Sequence, residues 1–67
     1  MMTTFTVSGM NCGHCTKAIT QAILEIDAQA HVETDLVSKT VKVNSSRNAD
    51  EIRHVIIEAG YEVVGVV

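Results

Sequence analysis

The sequence contains no proline and no tryptophan, and it has one phenylalanine and one tyrosine among its 67 residues. The absence of proline excludes any cis-prolyl bond. Hydrophobic residues make up 46% of the chain but aromatic residues only 3%, so a core must be built from valine, isoleucine, alanine and leucine. A chain of this length buries roughly 60% of the surface that it exposes when unfolded. We therefore expect one domain over residues 1–67, with modest stability.

Long apolar runs and an excess of basic residues are also lacking. No apolar run approaches the roughly 20 residues of a membrane-spanning helix, and the N-terminus has neither the basic nor the apolar part of a signal peptide. Lysine and arginine number 5 against 8 acidic residues, for a formal net charge of -3. An acidic chain repels phosphates, which argues against nucleic acid as a partner. We expect a cytoplasmic protein with no membrane insertion, and the start at Met1 predicts a complete chain.

Alternating and helical apolar patterns predict six elements in the order strand, helix, strand, strand, helix, strand. Each helix carries one apolar stripe and each strand one apolar face, so both helices should pack on one side of a four-stranded antiparallel sheet. This is the ferredoxin-like α+β arrangement. The predicted elements are a strand over 3–8, a helix ending near Ile26, strands over 30–36 and 40–43, a helix between Asn48 and Gly60, and a strand over 62–67.

The same patterns divide the side chains between a core and a solvated sheet face. Asn48 is the predicted N-cap of the second helix and Gly60 its left-handed stop. The predicted core contains the large apolar residues Phe5, Ile19, Ile23, Ile52 and Ile56. The face of the sheet away from the helices should carry Thr4, Thr6, Glu33, Asp35 and Lys42.

The two cysteines bracket the start of the first helix, and Cys15 is predicted in its first turn. Cys12 and Cys15 are too close in sequence to connect distant parts of the chain as a disulfide framework would. Because Gly9 and Gly13 make the loop conformationally free, both thiols can turn toward a common point. The amide groups and the dipole at a helix N-terminus favour thiolate over thiol. In a cytoplasmic protein this spacing indicates metal or redox chemistry.

The number of available ligands bears on which metal is bound. Soft thiolates select Cu(I), zinc or related soft ions. A closed zinc site needs about four ligands, and His14, His31 and His54 do not have the spacing that would supply them. Two sulfurs are enough for a near-linear ion such as Cu(I) or Hg(II). The ligand count therefore favours copper over zinc.

Residues 9–15, Gly-Met-Asn-Cys-Gly-His-Cys, follow a strand and precede a helix. With this motif the chain resembles heavy-metal-associated domains over all 67 residues, most closely the small bacterial copper chaperones of the CopZ type. Tyr61, after Gly60, matches the tyrosine that bacterial members place beside the metal loop. The resemblance implies a Cu(I) carrier with Cys12 and Cys15 as ligands. It implies transfer to the metal-binding domain of a copper-transporting P-type ATPase, or to a copper-responsive repressor or activator.

Four further residues could adjoin the bound ion. By the resemblance, Met10 anchors the loop in the core, although a thioether can also bind Cu(I). His14 could tune the cysteines or act as an occasional third ligand. The Tyr61 ring lies either at the edge of the core or with its hydroxyl facing the thiolates. Lys17 is either a solvated residue or one whose positive charge offsets the negative charge of the site.

Asn11 departs from the threonine or serine that copper-binding members often have at this position. Zinc-transporting relatives often have aspartate there, which supplies a hard oxygen ligand. Asparagine offers only a neutral carbonyl oxygen, so the expected preference for zinc is weakened.

Several alternatives remain open from the sequence. The chain could be an excised metal-binding domain of a heavy-metal ATPase, or a mercury- or zinc-binding relative. A thiol-disulfide redox protein is a third alternative, opposed by the short length, the absence of a cis-proline and the single helix between the first two strands. The favoured prediction is a non-enzymatic carrier that is monomeric without copper, in which copper could join two monomers through shared thiolates.

Overall fold

The computed structural model describes residues 2–11 and 13–67. Within these ranges the elements follow the predicted βαββαβ order, and neither helix is both long and apolar enough to cross a membrane. The predicted strand over 30–36 is shorter than expected, because Leu36 already belongs to the turn that follows. The elements are β1 (Met2–Ser8), α1 (Gly13–Ile26), β2 (His31–Asp35), β3 (Thr40–Asn44), α2 (Ala49–Glu58) and β4 (Glu62–Val66).

The strands form one antiparallel sheet in the order β2-β3-β1-β4, so β1 is an inner strand. Phe5 on β1 lies opposite Val41 on β3 and Val66 on β4. The register between β1 and β4 shifts after Thr6, which leaves Val64 as the extra residue of a bulge. Together with the two helices this sheet makes the predicted ferredoxin-like fold.

The core lies between the sheet and the helices, and all five predicted core residues are buried in it. On the opposite face of the sheet Lys42 lies across from Thr4 on one side and Glu33 on the other, as the alternation predicted. The buried cluster comprises Phe5, Val7, Met10, Ile19, Ile23, Val41, Val43, Ile52 and Ile56.

Helix α2 begins and ends at the predicted positions. The Asn48 side-chain oxygen accepts a hydrogen bond from the backbone N–H of Glu51 at 2.9 Å, and the Asn48 amide donates to the Glu51 carboxylate at 3.2 Å. This reciprocal pairing satisfies an N–H group that a helix start leaves without an intrahelical partner. After Ala59 the chain leaves the helix through Gly60, whose φ is 101°. That turn brings Tyr61 and β4 back to the sheet.

Asp27 joins the end of α1 to the loop after β3. Its carboxylate accepts hydrogen bonds from the Ser45 hydroxyl at 2.5 Å, the Gln29 backbone N–H at 3.1 Å and the Ser46 backbone N–H at 3.4 Å. These bonds, the Ser45 hydroxyl foremost, hold the pKa of Asp27 below its usual value of 3.8. Because the folded pKa is lowered, the stabilisation is complete above pH 3.8 and is lost as the pH falls through the folded value.

We expect Asp27→Asn to lower the free energy of unfolding at neutral pH, with a deficit relative to wild type that shrinks as the pH falls below 3.8. Urea unfolding of both proteins over a pH series measures this difference. Glu25→Gln removes one negative charge from an exposed position in the last turn of α1 and controls for the change in net charge. A deficit for Asp27→Asn that stays constant with pH would contradict the expectation.

Candidate metal centre

The chain leaves β1 through Gly9, at the start of the loop that precedes α1. Gly9 has a φ of 86°, a region that residues with a side chain rarely adopt. The ring of Tyr61 lies beside it, with Cδ1 4.0 Å from where a Cβ on Gly9 would stand. Cys12, one of the two predicted ligands, lies outside the described residues, so its role stays a prediction.

Cys15 stands in the first turn of α1, as predicted. Its thiol is half-buried against the core and contacts the carbonyl oxygen of Gly9 at 3.9 Å. The Thr16 hydroxyl donates to the carbonyl oxygen of Gly13 at 2.8 Å in the same turn. The thiol therefore lies where the loop meets the helix, near the backbone N–H groups that the helix start leaves without helical partners.

Met10 and Tyr61 both pack beneath the loop. The side chain of Met10 is 0% exposed and belongs to the core cluster with Phe5 and Ile19. This burial favours the interpretation of Met10 as an anchor over that of a thioether ligand at the surface. Tyr61 is half-buried, packs on the same core and lies against Gly9, so its ring supports the loop from the start of β4.

The remaining predicted neighbours of the ion are on the surface. His14 and Lys17 are exposed on α1. The other two histidines are exposed and face acidic partners elsewhere, His31 with Glu33 at 3.5 Å and His54 with Glu58 at 2.9 Å. Among residues 2–11 and 13–67, no three or more histidine, cysteine, aspartate or glutamate side chains are grouped to hold a metal ion.

Lys39, in the turn between β2 and β3, contacts the loop although the sequence pattern did not single it out. Its Nζ donates to the carbonyl oxygen of Met10 and to the side-chain oxygen of Asn11, each at 3.1 Å. Its own carbonyl oxygen accepts from the backbone N–H of Val7 at 2.8 Å. Nothing in local spacing links residues 28 positions apart, so only the paired strands bring Lys39 to the loop.

Comparisons with known proteins agree with this geometry. The family model described as "Heavy-metal-associated domain" matches residues 4–62. The chain is 34% identical over 61 residues to the copper chaperone CopZ of Staphylococcus aureus, which covers 87% of this chain and 90% of that protein. It is also 34% identical over 58 residues to the COP-associated protein of Helicobacter felis, covering 84% of this chain and 88% of that one.

A solved structure extends the likeness to three dimensions. The copper chaperone Atx1 from Synechocystis PCC6803, in a trimeric form, superposes with a TM-score of 0.87 at 42% sequence identity. The match covers 90% of this chain and 95% of that chain. The likeness therefore extends over nearly the whole domain.

Proposed function

Since the chain belongs to the heavy-metal-associated domain family, we propose that it carries Cu(I) as cargo between Cys12 and Cys15 and delivers it to another protein. It is a domain of the copper-chaperone type rather than an enzyme, like its CopZ and Atx1 relatives. The observation that carries the proposal is the half-buried thiol of Cys15 in the first turn of α1, at the loop that holds the other cysteine.

The chemistry of the two thiolates supports Cu(I) as the cargo. Sulfur is a soft ligand, and Cu(I) is a soft ion that two donors can coordinate in a near-linear arrangement. Two thiolates around one monovalent cation leave one net negative charge, which the positive end of the α1 dipole favours. The remaining open coordination positions are what a carrier needs, because a partner must be able to reach the ion.

Transfer then proceeds by ligand exchange. A cysteine thiolate of the acceptor attacks the bound Cu(I), a three-coordinate intermediate forms, and one thiolate of this chain leaves. A second acceptor thiolate then displaces the remaining thiolate of this chain in the same way, which completes the transfer. The ion keeps its oxidation state, and the departing thiolate keeps its electron pair. The acceptor that fits is the metal-binding domain of a copper-transporting P-type ATPase, with a copper-responsive repressor or activator as the other candidate.

The working location of such a carrier is the cytoplasm, where cysteines stay reduced. We propose that the chain is monomeric without copper, and that bound copper can join two copies through shared thiolates. Sedimentation of the reduced protein with increasing Cu(I) tests this. A sedimentation coefficient that keeps the monomer value at every ratio of Cu(I) to protein would exclude the shared-thiolate dimer.

We expect Cu(I) to pass to an isolated ATPase metal-binding domain at a rate that rises with the acceptor concentration. The physical reason is that the acceptor thiolate takes part in the exchange before the ion leaves. Anaerobic stopped-flow or rapid separation of the two proteins measures the rate.

The matched control is the same acceptor with its cysteines alkylated, which should receive no copper. A rate that does not depend on acceptor concentration, and equals the rate of capture by a small chelator, would mean that free Cu(I) dissociates first. Catalysed reduction of a model disulfide would instead favour the redox alternative.

A further inference from the structure

We propose that Lys39 is a positioning residue that clamps the cysteine loop in its metal-binding shape. This inference rests on the proposed function, because it concerns the site where the cargo is held. Lys39 contacts the segment leading to Cys12 at two places. Its carbonyl oxygen accepts a hydrogen bond from the backbone N–H of Val7 at 2.8 Å. Its Nζ donates to the carbonyl oxygen of Met10 and to the side-chain oxygen of Asn11, each at 3.1 Å.

The side chains of Met10 and Lys39 both restrain the loop, Met10 through its burial and Lys39 through its hydrogen bonds. Met10 is fully buried, so its thioether fixes one side of the residue while its carbonyl oxygen stays available for the Lys39 ammonium. Asn11, the next residue, is exposed and gains a fixed position from the same ammonium group. Hydrogen bonds from a charged donor are stronger than those from a neutral one. Asn11, the residue directly before Cys12, is therefore restrained by a hydrogen bond to its side-chain oxygen.

The turn that presents Lys39 is itself ordered by hydrogen bonds. The Asp35 carboxylate accepts from the backbone N–H groups of Val37 at 2.9 Å and Ser38 at 3.4 Å, and Ser38 shares a hydrogen bond of 2.8 Å with Thr40. These contacts hold the turn before Lys39, and β3 begins directly after it at Thr40. The side chain of Lys39 therefore reaches the loop from a rigid support, which a positioning contact requires.

The backbone conformation of Lys39 indicates that this position has a lysine because its side chain contacts the loop. Its φ is 58°, in the left-handed region where glycine is favoured and a residue with a Cβ is disfavoured. A residue chosen for the turn alone would be glycine or asparagine. The lysine side chain offsets this backbone cost through its contacts with the loop.

Two substitutions distinguish a role of the Lys39 side chain in positioning the loop from a role of this residue in the turn alone. Lys39→Gly removes the side chain and relieves the left-handed backbone, whereas Lys39→Met removes only the ammonium group and keeps most of the apolar stem. If Lys39 clamps the loop, both variants bind Cu(I) about tenfold more weakly, the usual size of effect for a residue that orients a metal ligand. Lys39→Gly should nevertheless unfold at the same or a higher urea concentration than wild type.

The affinities are measured anaerobically by competition with bicinchoninate, a chelator of Cu(I). Lys42→Met is the matched control, because it removes the same charge from the open face of the sheet. We expect its Cu(I) affinity to match that of wild type. If Lys39 served only the turn, Lys39→Gly would bind Cu(I) as tightly as wild type, and this result would overturn the proposal.

A second measurement, on the apo protein, distinguishes failure of the clamp from failure of the copper assignment. Backbone amide relaxation by NMR should show larger motions at Asn11 and Gly13 in both Lys39 variants than in wild type or Lys42→Met. If wild type binds no Cu(I) while this pattern appears, the function is wrong and the clamp stands. Unchanged relaxation at Asn11 in Lys39→Met would refute the clamp, whatever the metal.

Discussion

Cys15→Ser is expected to leave the chain unable to hold Cu(I) against bicinchoninate, whereas the wild type retains one ion per chain. A serine hydroxyl is a hard donor and stays protonated at neutral pH, so it does not replace a soft thiolate on Cu(I). Cys12→Ser should have the same effect, because one remaining thiolate cannot compete with a chelator that supplies two donors. An anaerobic Cu(I) titration of the reduced proteins, followed by metal analysis after gel filtration, measures the loss.

The loss must be separated from unfolding and from unspecific binding. Cys15 is half-buried and small, so the serine variant should keep its free energy of unfolding to within about 1 kcal/mol. His54→Ala, which removes an imidazole from the surface of α2, should retain one Cu(I) per chain. Tight Cu(I) binding that survives the loss of both cysteines would end the chaperone assignment.

Met10→Ala is expected to destabilise the protein by roughly 2–5 kcal/mol, the usual cost of truncating a buried methionine. The Met10 side chain is 0% exposed, so its truncation leaves a cavity in the core. A domain of this length has only about 3–5 kcal/mol of total stability from its core. A large fraction of the Met10→Ala protein should therefore be unfolded at room temperature, as measured by urea unfolding followed by circular dichroism.

Met10→Leu separates the anchor interpretation from the ligand interpretation. Leucine nearly conserves the volume, so the cost should stay below about 1.5 kcal/mol, while the sulfur is removed completely. If Met10 only anchors the loop, Met10→Leu binds Cu(I) as tightly as wild type in competition with bicinchoninate. Weakened Cu(I) binding in a variant of normal stability would show that the thioether reaches the ion.

The order and type of the elements could be predicted because each has a regular apolar period. Ile19 and Ile23 lie on one stripe of α1, and Phe5 and Val7 on one face of β1, and these residues are buried as the patterns indicate. Element ends were predicted less well. Leu36 continues the apolar alternation of β2 but lies in the turn. The reason is that the Asp35 carboxylate accepts hydrogen bonds from the backbone N–H groups of Val37 and Ser38.

The scarcity of aromatic residues and the pair of cysteines already determined much about this protein. A core dominated by valine and isoleucine follows from the residue types, and the cysteine spacing predicts a two-sulfur site for a soft ion, because both are local properties of a chain. Alanine and leucine, also predicted in the core, are absent from its buried cluster among the described residues, whereas Phe5 and Met10 belong to it. The tertiary structure decided which distant residues contact the loop before α1. The ammonium of Lys39 reaches Met10 and Asn11 only because β3 pairs with β1 and the turn before β3 adopts a left-handed backbone. Contacts of this kind depend on strand register and turn conformation, and no short-range pattern in the sequence encodes them.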